Sequence, residues 1–186
     1  FLANFPAFGK ETLQIDEFVV TFFLSIFSIG IGLGSVFCNK LLKGEVTSKF
    51  VPVSAMIITI FIFDLFFVSQ SFPTSGTELM GLSAFLTTFS GWHIVFDLLI
   101  ISFFGGLYVV PLYALIQIRS DPNHRARVIA CTNILSALFM SISALGSALL
   151  LFLQVPVSFL FLAAALLNAV ATYQICKILP QDILKS

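Results

Sequence analysis

Charged residues are scarce in this sequence of 186 residues, in which Lys and Arg together number 9, Asp and Glu number 9, and the four types make up 10%. A soluble domain carries about a quarter charged residues, so the deficit excludes an ordinary water-soluble fold. The formal net charge is zero, which argues against the basic surface that nucleic-acid binding needs. The chain is instead 59% hydrophobic and contains 23 Phe. This composition is typical of a protein that crosses a bilayer.

Cysteine is also rare, with Cys38, Cys131 and Cys176 forming neither a CxxC pair nor a Cys/His cluster. That spacing argues against a zinc or redox motif, and we expect free thiols at or below the cytoplasmic face. The sequence also lacks a Ser/His/Asp order, paired acid/base carboxylates, a phosphate loop and an HxxxxD acyltransferase motif. We therefore expect no catalytic site, cofactor or metal ion in this segment, and no enzyme activity of its own.

Apolar runs separated by short polar loops fill the whole chain, which we interpret as one transmembrane unit over residues 1–186. Each complete run is long enough to span a bilayer at about 1.5 Å rise per residue. We expect a clipped first span, since the chain starts at Phe1 without Met or a signal peptide, as if cut from a longer protein. Residues 70–76 are interpreted as a turn-rich connection, and residues 78–93 as a loop with an interfacial segment anchored by Trp92. The predicted spans are 1–8 (partial), 18–38, 50–69, 94–118, 125–153 and 157–179.

The basic residues alternate between loops, and eight of the nine fall on one side. By the positive-inside rule that side is cytoplasmic, and both ends of the segment lie there. The other side has only Lys10, together with Glu11, Asp16, Glu17 and Glu78. The eight residues are Lys40, Lys43, Lys49, Arg119, Arg125, Arg127, Lys177 and Lys185.

Small residues predict two close helix contacts. Gly30 and Gly34, four residues apart in GIGLG, favour close packing of that helix. No strand precedes the motif, so a dinucleotide-binding loop is rejected. Ser143, Gly146 and Ser147 belong to a second small-residue side, on a helix for which Asp121 and Pro122 are the predicted N-cap and first helical residue.

The stretch from Gly105 to Met140 carries a resemblance to a known family. GGLYVVPLYALIQ (105–117) followed by RARVIACTNILSALFM (125–140) resembles the tenth and eleventh helices of bacterial lysophospholipid transporters of the major facilitator superfamily. The opening NFPAFGK and the GIGLGS region resemble the seventh and eighth helices of that family. The Cys131-Thr132 pair departs from it, since the family often has a second Asn or Ala there.

The resemblance implies an all-helical membrane fold, the C-terminal six-helix half of a transporter whose N-terminal half lies in the same chain. It implies movement of lysophospholipids, notably lysophosphatidylethanolamine, across the bacterial inner membrane. Some members are fused to an acyltransferase and acyl–acyl-carrier-protein synthetase, and the ending LPQDILKS resembles such a junction.

Intramembrane polar residues are the candidate substrate-binding groups. Asp64 lies well inside a span, where acids usually face the protein interior or a wet cavity. It equally fits a carboxylate that reaches the headgroups, about 7.5 Å away at helical rise. Gln117 and Asn133 fit either a glycerophosphate headgroup or an interhelical hydrogen bond. Tyr108 and Tyr113 lie in a helix that Gly105, Gly106 and Pro111 are expected to bend.

Other charged residues have plainer interpretations. Asp97 is expected in the first turn of its helix, where a carboxylate favours the helix dipole. Arg119, Arg125 and Arg127 are interpreted as topology determinants that contact phosphate or anionic lipid. His93 and His124 lack nearby ligand partners in the sequence and are interpreted as interfacial or loop residues.

The function predicted from these residues is lysophospholipid translocation by alternating access, with membrane lipids around the segment. One alternative is a proton-coupled drug or metabolite exporter of the same superfamily, with Asp64 as the proton-coupling group. The other is a non-transporting membrane anchor for a fused or partner acyltransferase.

Overall fold

Helices make up nearly all of the chain in the computed structural model, which describes residues 4–42, 50–72 and 79–178. Within these ranges no β-strand forms, and a single bridge joins Ile15 to Met80. The elements are α1 (Phe5–Ala7), a π-helical segment (Phe8–Leu13), α2 (Glu17–Leu42), α3 (Val51–Gln70), α4 (Leu82–Thr87), α5 (Phe89–Arg119), α6 (Arg125–Phe152) and α7 (Val157–Ile178).

Five of these helices, α2, α3, α5, α6 and α7, are long and apolar enough to cross a membrane. This confirms the prediction of five complete spans in an all-helical membrane protein. Several predicted loop residues fall outside the described ranges, among them Lys43, Lys49, Pro73, Glu78, Pro180 and Lys185.

Helix α5 is central in the described bundle, because it packs against α2 on one side and α3 on the other. The contact with α2 depends on glycine. A Cβ at Gly34 would collide with the backbone carbonyl oxygen of Phe103, and a Cβ at Gly106 would lie 2.6 Å from the carbonyl oxygen of Ile31. The close packing predicted for Gly30 and Gly34 is therefore confirmed.

Helix α3 packs against α7, where a polar contact links the two spans. Asn168 Nδ2 of α7 donates to the Ala55 carbonyl oxygen at 2.9 Å and to Thr59 Oγ1 at 2.8 Å. Hydrogen bonds of this kind hold membrane helices in register because lipid offers no competing partner. The order across the bundle is thus α2, α5, α3 and α7.

Phenylalanine fills one end of the bundle. Phe8 meets Phe161 edge-on with ring centroids 4.6 Å apart, and Phe23 meets Phe85 at 5.4 Å. Edge-to-face pairs at such distances add to the free energy of apolar burial. At the same end, the bridge formed by Ile15 and Met80 joins two connections that the charge pattern assigns to one side of the membrane.

Three predicted boundaries are wrong. Helix α5 begins at Phe89 rather than at residue 94, because Thr88 is in an extended conformation and its hydroxyl accepts from the Gly91 N–H at 3.0 Å. Part of the predicted interfacial loop forms α4 (Leu82–Thr87). The Gly9–Glu11 loop is instead part of the π-helical segment that follows α1.

Helix α6 starts at the first residue of the predicted span, but it is capped differently from the prediction. It begins at Arg125, after a turn in which the Asp121 carboxylate accepts from the Asn123 N–H at 2.8 Å. Asp121 and Pro122 therefore form a turn before the helix rather than its N-cap and first residue. No residue of α6 is buried, so its small-residue side is largely uncovered in the described chain. Ser143, Gly146 and Ser147 line an open cavity shared with Asn4 and α7.

Candidate intramembrane site

An ionisable pair joins α3 to α5 inside the apolar bundle. Asp64 Oδ2 of α3 lies 2.9 Å from Nε2 of His93 on α5. The side chains keep 42% and 35% of their exposure, so this pair borders the surface of the bundle. Asp64 therefore has a hydrogen-bond partner within the protein, and its part-exposed position leaves both interpretations of this acid open.

Asp97 completes the cluster from one helical turn further along α5. Its Oδ1 lies 3.9 Å from His93 Nε2, and its side chain is fully buried. Neither carboxylate oxygen has a hydrogen-bond partner in the described part of the chain. The predicted position in the first helical turn is wrong, because α5 starts at Phe89 and Asp97 lies two turns inside it.

The local sequence explains how α5 presents two of these groups together. Residues four apart lie above one another on a helix face, so His93 and Asp97 share the face that packs against α3. The Thr88 cap fixes the start of the helix and with it the depth of both residues. Phe61 of α3 and Phe96 of α5 meet with ring centroids 6.0 Å apart, which adds an apolar contact between the same two helices.

The cluster combines two carboxylates with one imidazole. One potential ligand atom from each of Asp64, His93 and Asp97 lies within 4.8 Å of the other two. An unpaired carboxylate in a low-dielectric interior is costly, so a charged Asp97 needs a proton or a cation beside it. Intramembrane acids and histidines commonly mark proton, ion or substrate pathways.

The remaining predicted binding residues are not brought together. Gln117, Tyr113 and Asn133 are exposed, whereas Tyr108 is half-buried. Helix α6 makes few contacts with α5, so the structure does not form a polar pocket from Gln117 and Asn133. Of the predicted substrate-binding set, Asp64 alone belongs to the ionisable cluster.

Basic residues surround the turn between α5 and α6. Arg119 ends α5, Arg125 and Arg127 begin α6, and all three side chains are exposed. In the same turn His124 Nδ1 lies 3.4 Å from Asp121 Oδ2, with both side chains more than half exposed. The contact of these arginines with lipid phosphate stays a prediction.

Sequence reasoning missed His93 and assigned Asp97 only a capping role. The available signal was the i, i+4 spacing of His93 and Asp97 in one apolar run. The predicted helix begins at residue 94, after His93, so the two residues do not share a predicted helix. Comparison with known proteins adds no guide to this site, since no protein-family model, curated protein or solved structure matches the chain.

Proposed function

We propose that this chain is half of a membrane transporter that moves lysophospholipids across a bacterial inner membrane. The observation that supports transport is the Asp64–His93–Asp97 cluster inside apolar spans. A buried acid without a hydrogen-bond donor costs folding free energy, and such residues in membrane helices usually serve a pathway. A protein that only anchored another domain would gain nothing from that cost.

The cargo is proposed from the resemblance of residues 105–117 and 125–140 to lysophospholipid transporters. The chemistry of the cluster is compatible with it. The carboxylates of Asp64 and Asp97 would attract the ammonium group of lysophosphatidylethanolamine while the headgroup is at their end of the bundle. At another stage of transport, the exposed Arg119, Arg125 and Arg127 would attract its phosphate at the other membrane face. The acyl chain would lie along exposed apolar side chains such as Phe139, which is 68% exposed.

The mechanism we propose is alternating access, with this half moving against an N-terminal half around a central cavity. Helix α6, whose residues are all unburied here, would provide part of the surface facing that cavity. Asn133 would then meet the headgroup from this surface and Gln117 from the end of α5, where Tyr108 and Tyr113 would line the adjoining part.

The test is uptake of labelled lysophosphatidylethanolamine into vesicles that contain the full-length protein. We expect saturable uptake that falls at least about ten-fold in Asp97→Asn or Asp64→Asn, since each removes about 1.4 kcal/mol or more of interaction with the cargo. Asp121→Asn, at an exposed turn on the opposite face, is the matched control and should leave uptake unchanged. Failure of the parent protein to take up the lipid would refute the proposal.

A proton-coupled exporter is the second candidate, and the Asp64–His93 hydrogen bond favours it. A histidine that shares a proton with a carboxylate is suited to coupling transport to a proton gradient. Uptake of a cationic dye, measured in the same vesicles with and without a pH gradient, separates the two. Gradient-dependent dye movement that Asp64→Asn abolishes, without lipid uptake, would establish the exporter. If neither cargo moves, the membrane-anchor hypothesis is the one that stands.

A further inference from the structure

The donor atoms of Asp64, His93 and Asp97 lie close enough together for one metal ion to reach all three. Two separations are 2.9 Å and 3.9 Å, and one ligand atom from each residue lies within 4.8 Å of the others. Zinc bonds of about 2.0–2.2 Å at tetrahedral angles place neighbouring ligand atoms about 3.4 Å apart. The observed separations lie on both sides of that value, so small side-chain movements would produce it.

Charge supplies a second argument. Two carboxylates and a neutral imidazole carry two negative charges, which one divalent cation neutralises. The carboxylate of Asp97 is fully buried and has no hydrogen-bond partner in the described residues. A metal ion would supply the partner that this side chain lacks.

We propose that Asp64, His93 and Asp97 bind one divalent transition-metal ion of the Zn²⁺ type. The imidazole nitrogen favours such an ion over Mg²⁺ and Ca²⁺, which prefer oxygen ligands. Three protein ligands leave a coordination position for water or another small ligand. Asp64 and His93 are partly exposed, so the ion would enter from their side of the cluster. The sequence led us to expect no metal ion, and this proposal departs from that expectation. The ion and the ammonium group of the proposed cargo would compete for the same carboxylates, so metal binding is tested separately from transport.

The first test is calorimetric titration of the purified full-length protein with Zn²⁺, after treatment with a chelator. We expect one Zn²⁺ per chain, and a dissociation constant that rises at least about ten-fold in His93→Ala and in Asp97→Asn, because each loses one of three ligands. His124→Ala is the matched control, since His124 also faces an aspartate, at 3.4 Å, but on an exposed turn. Excess Mg²⁺ should not compete. Absence of Zn²⁺ binding, or binding lost in His124→Ala and kept in His93→Ala, would overturn the proposal.

A second measurement needs no variant and so is independent of folding defects. Diethyl pyrocarbonate modifies accessible histidines, and peptide mass spectrometry reports His93 and His124 separately in the same sample. We expect Zn²⁺ to slow modification of His93 several-fold and to leave His124 unchanged. Equal modification of His93 with and without Zn²⁺ would overturn the site even if calorimetry detected binding elsewhere.

Discussion

Asp97 lies one helical turn beyond His93 on α5, with its Oδ1 3.9 Å from the imidazole Nε2 and its side chain fully buried. The pair shows why the α3–α5 contact is unlike the others described in the bundle. The other contacts are made by glycines, phenylalanines or hydrogen-bonded amides, whereas this one contains an acid without a donor. Substitution of Asp97 therefore tests directly whether this residue serves function rather than stability.

Replacing Asp97 by Leu should raise stability and abolish transport. The substitution removes a buried polar group that has no hydrogen-bond donor, and burying such a group costs about 1–3 kcal/mol. Thermal unfolding in detergent, without added metal, measures stability, and vesicle uptake measures function. Asp121→Leu at the exposed turn should change neither quantity. A large fall in the unfolding temperature of Asp97→Leu would show that Asp97 has a structural partner.

Glycines of α2 should differ sharply in their tolerance of alanine. Gly34→Ala introduces a Cβ that collides with the backbone carbonyl oxygen of Phe103, so the helices must separate. Overpacking of this kind costs about 1–3 kcal/mol. Gly32 has no atom within 4 Å of an added Cβ, so Gly32→Ala should be neutral or stabilising through helix propensity of up to about 1 kcal/mol.

The same contrast applies to the adjacent glycines of α5. A Cβ at Gly106 would lie 2.6 Å from the Ile31 carbonyl oxygen, whereas a Cβ at Gly105 meets nothing within 4 Å. We therefore expect Gly106→Ala to lower the unfolding temperature and Gly105→Ala to leave it unchanged or higher. Equal effects at the two positions would contradict the described α2–α5 contact.

Asn168→Ala should loosen α7 from α3. It removes two hydrogen bonds, to the Ala55 carbonyl oxygen and to Thr59 Oγ1. Side-chain hydrogen bonds between membrane helices contribute about 0.6 kcal/mol each on average, so a loss of about 1 kcal/mol is expected in thermal unfolding. Asn133→Ala on the unburied α6 is the matched control for stability. A similar loss in both variants would mean that Asn168 does not link these helices.

Orientation is predicted from the alternation of loop charge, and cysteine labelling would measure it. In a background without Cys38, Cys131 and Cys176, Asn123→Cys places a thiol in the turn between α5 and α6, and Gln154→Cys places one between α6 and α7. A membrane-impermeant maleimide added outside intact spheroplasts should label Gln154→Cys alone. Labelling of Asn123→Cys instead would show that the topology is the reverse of the one assigned by the positive-inside rule.

The Thr88 cap fixes where α5 begins and so sets the depth of the site. Its contribution to the free energy of unfolding can be measured. Its hydroxyl accepts from the Gly91 N–H at 3.0 Å, and loss of such a cap costs about 1 kcal/mol. We expect Thr88→Ala to be destabilised by that amount and Thr88→Ser to retain most of the parent stability. Thr87→Ala, which removes an exposed hydroxyl bonded to the Ala84 carbonyl oxygen, should have a smaller effect.

The sequence alone determined that the protein is helical and that five segments are long and apolar enough to cross a bilayer. Hydrocarbon cannot satisfy backbone polar groups, so a long apolar run has few alternatives to a helix. The sequence also determined the close helix contact at Gly30 and Gly34, because two glycines four residues apart leave room for a neighbouring helix. The sequence did not determine the helix ends, since capping at Thr88 depends on backbone geometry that the spacing of apolar residues does not encode.

The tertiary structure decided which polar residues meet. Asp64 and His93 are 29 residues apart in the chain and belong to different helices, and no periodicity within either run relates them. Their contact follows from the rotation and depth at which α5 packs on α3, and close side-chain packing along the whole interface sets both. The same packing buries Asp97 beside His93. Span composition therefore predicts the membrane helices, whereas only helix packing assembles the ionisable site.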